Sequence, residues 1–179
     1  MIKMEIRQLM NKAVEFHGHT CPGVTIGVLA AKYILDHDNE FSIDEELVAV
    51  VENDNCSVDA LQALLGTTFG KGNLIHLDYG KNNFSFYNRT TKKAVKLSLK
   101  TRSFGDRELS REERITKLLS LKPEGIFEIK DIDFNPPEMA QIHESIICDR
   151  CGDPTMSTRI TNYKDLNVCV PCYKELKNE

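Results

Sequence analysis

The sequence predicts an α+β protein, with helices packed on a largely antiparallel sheet and a small treble-clef or zinc-ribbon finger at the C-terminal end. Three observations carry this. Apolar residues recur at helical spacing near the start of the chain, and short valine- and phenylalanine-rich runs separated by turn residues fill its middle. Two CxxC pairs close the tail. The expected order before the finger is α-α-β-α-β-β-β-α-β, a segregated pattern rather than an alternating one.

Each element has its own signal. Over residues 4–16, Met4, Leu9, Ala13 and Phe16 fall near one helical face, so a first helix is expected. Gly18 and Pro22 punctuate a loop from His17 to Cys21. Pro22 suits the first position of a helix, where its missing N–H is not needed. A buried helix then follows through GVTIGVLAAKYILDH and fades at Asp38-Asn39. Glu46 to Glu52 (ELVAVVE) is a short valine-rich run suited to a buried strand. A short helix from about Ser57 to Leu65 ends at Gly66, and TTFGKGN is a glycine-containing loop. Three strands are expected next, LIHLDY, FSFYNRT and AVKLSLK, divided by Gly80-Lys81-Asn82-Asn83 and Thr91-Lys92. Ser110-Arg111-Glu112-Glu113 is a capping box that opens a helix through Leu121. GIFEIKDIDF is the last strand, and Asn135-Pro136-Pro137 stops regular structure. The expected organisation is a core domain over 1–135, a linker over 136–143 and a finger domain over 144–179.

Bulk properties exclude several function classes. An apolar fraction of 41% in 179 residues supplies a core, and a charged fraction of 28% is ordinary for a globular chain. A net charge of −4 disfavours a dedicated nucleic-acid binder and an anionic membrane surface. The N-terminus is interrupted by Lys3, Glu5, Arg7, Lys12 and Glu15, so no secretory signal is read, and no run nears the roughly 18 apolar residues of a spanning helix. The expected location is cytoplasmic, with no membrane partner. There, six cysteines point to metal rather than to disulfides.

The tail reads CDRCG, seventeen residues from Gly152 to Val168, then CVPC. Cys148, Cys151, Cys169 and Cys172 make two thiolate pairs that close a tetrahedron around structural zinc, with Zn–S near ~2.3 Å. Gly152 permits the tight turn, MSTRITNY has hairpin character, and Cys172 leads into a terminal helix. Two disulfides or a dithiol redox pair are the alternatives. Residues 144–179 hold five Lys/Arg against six Asp/Glu, so the finger is expected to contact a protein rather than DNA.

His17, His19 and Cys21 fall within HGHTCPG, and Cys21 and Cys56 each immediately precede a predicted helix. A helix N-terminus favours thiolate. If these four residues converge, they form a soft core metal site suited to zinc, nickel or iron. The bland alternatives are small buried cysteines and solvated loop histidines. Asp54 and Asp59 flank Cys56 and are candidate partners for a histidine. The GKGN loop lacks P-loop spacing, but Lys71 is a candidate cation for an anionic ligand. His37, His76 and His143 are isolated and read as non-functional.

FHGHTCPG, an apolar helix, and DNCSVDALQALLGTTFGKGNLI together resemble the FmdE family of formylmethanofuran dehydrogenase subunits, from about Phe16 to Tyr87. The CxxC tail is similar to an auxiliary zinc finger found in some members. The resemblance implies an α+β core, homodimers and a metal-associated cleft. Its candidates here are His17, His19, Cys21, Cys56, Asp59, Lys71 and Asn73. Relatives often carry a cysteine, in a GCT sequence, where this chain has Thr67. A hydroxyl is a poor substitute for a thiolate, so the ligand number stays open.

Two functions follow as expectations. The first is a metal-binding accessory or regulatory subunit associated with formylmethanofuran dehydrogenase-type one-carbon metabolism, with the finger contacting a partner. The chain shows no pterin-binding region or iron–sulfur ligand set to carry that catalysis alone. The alternative is a free-standing metal-dependent enzyme acting on a small anionic or one-carbon substrate. Cys21 or Cys56 would then be reactive, and Lys71 would hold the substrate's charge.

Overall fold

A computed structural model describes residues 5–37, 41–100 and 109–178. The chain divides into two compact units, Met1–Met139 and Ala140–Glu179. In the first, α1 (Ile6–His17), α2 (Pro22–Asp36), α3 (Ser57–Leu65), α4 (Arg111–Leu119) and the single turn α5 (Pro123–Ile126) accompany five strands. These are β1 (Leu47–Val51), β2 (Leu74–His76), β3 (Asn83–Asn88), β4 (Lys93–Leu99) and β5 (Phe127–Asp131), in spatial order β2-β1-β3-β4-β5. Met4 and the expected fade at Asp38-Asn39 lie outside the described residues.

The α+β reading holds, with one parallel pairing. β3, β4 and β5 pair antiparallel in sequence order, whereas β2 lies parallel to β1, with Val51 opposite His76. α3 is the reason, because it is the crossover that carries the chain back before β2. LIHLDY contributes only its first three residues to the sheet. Phe16 also departs from expectation. Leu9, Met10 and Ala13 form the buried face of α1, while Phe16 is exposed.

Alternate residues of the strands join the helices in one core. Leu47, Ala49, Val51, Phe84, Phe86 and Leu97 meet Leu9, Val24, Leu29, Leu61, Leu65 and Leu118 there. β1 is buried along its whole length, as its unbroken apolar run requires. Where the chain leaves the core, the Arg89 guanidinium donates to the Pro137 carbonyl at 2.9 Å and Phe134 stacks on Tyr87.

The contact that matters most for the site is between α2 and α3. A Cβ on Gly27 would collide with the Ser57 carbonyl and stand 2.8 Å from Ala60 Cβ. Glycine therefore sets how closely the two helices approach. Gly66 ends α3 in the left-handed region at φ 70°, and a Cβ there would meet the Phe41 ring at 2.9 Å.

The second unit contains β6 (Ser145–Ile147), β7 (Pro154–Met156), β8 (Ile160–Tyr163), β9 (Leu166–Cys169) and α6 (Val170–Asn178). Lys164 and Asp165 both have positive φ between Tyr163 and Leu166, the two-residue turn that a tightly twisted hairpin uses.

Gly27→Val will lower unfolding free energy by about 1–3 kcal/mol or more, the usual cost of overpacking. Gly70→Ala has open space at its Cβ and will change it by less than about 0.5 kcal/mol. Urea denaturation of the two variants checks this, and equal midpoints would refute the tight crossing.

Candidate metal centres

The chain ends of three helices meet in the core unit. α1 ends at His17, α2 begins after Cys21, and α3 begins after Cys56. Cys21 caps α2, with Sγ accepting from the Val24 N–H at 3.4 Å. A Cβ on Gly23, in the first turn, would stand 3.0 Å from Cys56 Cβ, so the neighbouring helix start fits only beside a glycine. One ligand atom from each of His17, Cys21 and Cys56 lies within 4.8 Å of the other two.

His17 supplies the decisive detail. Its Nδ1 is 2.7 Å from Asp59 Oδ2, in the first turn of α3. Its Nε2 is buried and makes no hydrogen bond. An unpartnered buried polar atom costs roughly 1–3 kcal/mol, and a carboxylate on one ring nitrogen is the usual companion of a metal on the other. Two sulfurs and an imidazole nitrogen suit a soft or borderline cation. The site fits a metal ion.

Burial pushes the Cys56 thiol up, and its hydrogen bond to Cys21 and the charge on Cys21 push the same way. The expectation that the helix terminus would favour thiolate is corrected here. Cys56 has helical backbone angles and makes no capping bond, so desolvation outweighs the dipole. A cation between the sulfurs would reverse that balance.

Other candidates are placed differently. His19 stays outside the cluster: it is exposed, its ring is 4.4 Å from that of His17, and it borders a shallow cavity with Thr20 and Arg111. The Lys71 ammonium donates to the carbonyls of Ser42 at 2.8 Å and Ile43 at 3.2 Å, so its task is to hold the loop. Asn73 is fully buried and clamps the same loop, donating to Leu47 O at 2.9 Å and accepting from the Thr68 N–H at 2.8 Å. Thr67 is also buried, with an unpartnered hydroxyl. It lies beyond the far end of α3 from Cys56, about 14 Å away at 1.5 Å per residue, so its hydroxyl supplies no ligand to this centre.

A cavity of about 330 Å³ opens beside the cluster and is lined by His17, Cys56, Asp54, Asp59, Phe69 and His76, among others. From the sequence His76 reads as isolated and non-functional. The parallel β1–β2 register brings it here, opposite Val51. Only a parallel assignment of LIHLDY would reveal it. His37 instead bonds the Tyr33 carbonyl through Nδ1 at 2.8 Å and stacks on that ring. His143 is exposed in the second unit.

In the second unit, Cys148, Cys151, Cys169 and Cys172 bring their four sulfurs within 4.8 Å of one another. The first pair lies in the turn between β6 and β7, closed by Gly152 at φ 79° donating to Cys148 O at 2.9 Å. Cys169 ends β9 and Cys172 lies in the first turn of α6. Knuckle, hairpin and helix thus follow the treble-clef order. Amides, first that of Cys151, draw the Cys148 thiol down to about 6. The hydrogen bond to Cys169, then burial, push Cys172 up to about 12. Four sulfurs this close cannot all ionise without a cation among them.

Fold and clusters together define a metal-binding α+β protein with a cysteine finger. The chain belongs to the FmdE family: the family model described as "FmdE, Molybdenum formylmethanofuran dehydrogenase operon" matches residues 16–131. A solved structure, of an FmdE-like protein of tungsten formylmethanofuran dehydrogenase from Syntrophus aciditrophicus, superimposes with a TM-score of 0.70 at 22% identity. The match covers 96% of this chain and 94% of that one. A protein of Archaeoglobus fulgidus, described as a probable S-adenosyl-L-methionine-binding protein, is 32% identical over 199 residues, covering 94% of this chain and 53% of that protein. The chain therefore spans about half the length of that curated relative. Among the described residues, no helix is long and apolar enough to cross a membrane.

Asp59→Asn will weaken metal binding at the core site by about 10–100-fold, because the carboxylate orients the His17 ring. Gly23→Ala will weaken it too, by displacing Cys56. Competition with a chromophoric chelator measures both, and unchanged affinities would show that neither residue supports the centre.

Proposed function

We propose that this chain is a metal-carrying accessory or regulatory protein of formylmethanofuran dehydrogenase-type one-carbon metabolism. The reading is carried by the buried, unpartnered His17 Nε2 facing two cysteines. His17, Cys21 and Cys56 hold a divalent zinc, nickel or iron, and Cys148, Cys151, Cys169 and Cys172 hold a structural zinc. Family membership supports the link to that metabolism. The finger offers a contact to a protein partner, the chain works as a homodimer in the cytoplasm, and the net charge of −4 disfavours nucleic acid.

A second reading, a free-standing metal-dependent enzyme, is favoured by the cavity of about 330 Å³ beside the three-ligand centre. Three protein ligands with space alongside are the pattern of reactive rather than structural sites, and the ion would supply Lewis acidity there. Asp59 would hold His17 in its orientation, and Cys21 and Cys56 would serve as ligands instead of nucleophiles. The Archaeoglobus relative's described ligand would place such an enzyme in one-carbon transfer.

Elemental analysis of wild type and of the Cys21→Ala, Cys56→Ala double variant tests the metal reading. Two metals per chain falling to one is the expected result. One metal in both proteins would leave only the finger and end the proposal.

A further inference from the structure

The geometry points to a small organic cation, an alkylammonium or a sulfonium, as the ligand of the cavity beside the core centre. This inference rests on the proposed metal at His17, Cys21 and Cys56. The cavity's lining carries two carboxylates, Asp54 and Asp59, and no lysine or arginine among the described residues. Two thiolates neutralise a divalent ion, so the metal leaves no positive charge to offset those carboxylates. Lys71, the one cation expected to face the site, is spent on the carbonyls of Ser42 and Ile43. An anion entering here would meet negative charge at the mouth and nothing to pair with. The small anionic substrate expected from the sequence is therefore the wrong class.

The apolar part of the lining points the same way. Val51, Val58 and Leu74 line the cavity, and Phe69 borders it at 82% exposure. A large aromatic ring left in solvent at the edge of an acidic cavity offers a face for a poorly hydrated cation. Asp59 is held by His17, which leaves the exposed Asp54 as the carboxylate free to meet a ligand. A compact cation would then have Asp54 on one side, the Phe69 face on another and methyl-bearing carbons against the valines.

The test uses the full chain with its metal content measured in the same sample. Tetramethylammonium and formate are titrated at constant ionic strength, followed by amide shifts of Asn55, Cys56 and Phe69. Tetramethylammonium is expected to give saturable shifts and formate none. Asp54→Asn is expected to weaken tetramethylammonium by about three- to tenfold, the effect of one nearby unit charge near a protein surface. Phe69→Ala is expected to weaken it as well, whereas Asp165→Asn in the finger leaves it unchanged. With two metals bound, tighter binding of formate, no response to tetramethylammonium, or indifference to Asp54→Asn overturns the inference alone. A single metal per chain overturns the reading beneath it, and the inference with it.

Discussion

The crossing of α2 and α3 is the contact on which the rest of this protein depends. Gly27 lets the Ser57 backbone and Ala60 reach α2, and Gly23, one turn earlier, lets Cys56 lie against the start of the same helix. Two helix N-termini thereby arrive side by side, each preceded by a cysteine. The sheet gains from the same arrangement, since α3 is also the crossover that makes β2 parallel to β1. Moving α3 outward by the width of a methyl group would separate the thiols and open the core together.

Electrostatics then explains why the centre needs an ion. Asp59 takes one nitrogen of His17 and leaves the other buried without a partner, while burial and mutual proximity hold the Cys56 thiol up. Each of these is unfavourable alone, and one divalent cation relieves all of them. The finger follows the same rule with four sulfurs. There the folding and binding energies are one quantity, because Cys148, Cys169 and Cys172 are three of the four buried residues of its small core.

Much of this is legible in the sequence, for identifiable reasons. The CxxC pairs, the capping box at Ser110 and Glu113, and Pro22 at the head of α2 are local signals that depend on few distant contacts. His17, Cys21 and Cys56 are visible as residue types, but their meeting depends on a helix crossing no local pattern encodes. His19 misleads because sequence proximity to His17 places it near the site without turning it inward. Lys71 misleads because its partners are backbone carbonyls 28 and 29 residues away. His76 escapes notice because a three-residue strand does not announce whether it runs parallel or antiparallel.

The most direct test is an anomalous-scattering map from crystals of the metal-loaded protein. A peak is expected about 2.0–2.3 Å from His17 Nε2, Cys21 Sγ and Cys56 Sγ, in addition to the one inside the finger. A crystal with the finger peak alone, or with Cys21 and Cys56 joined in a disulfide, would contradict a core metal centre.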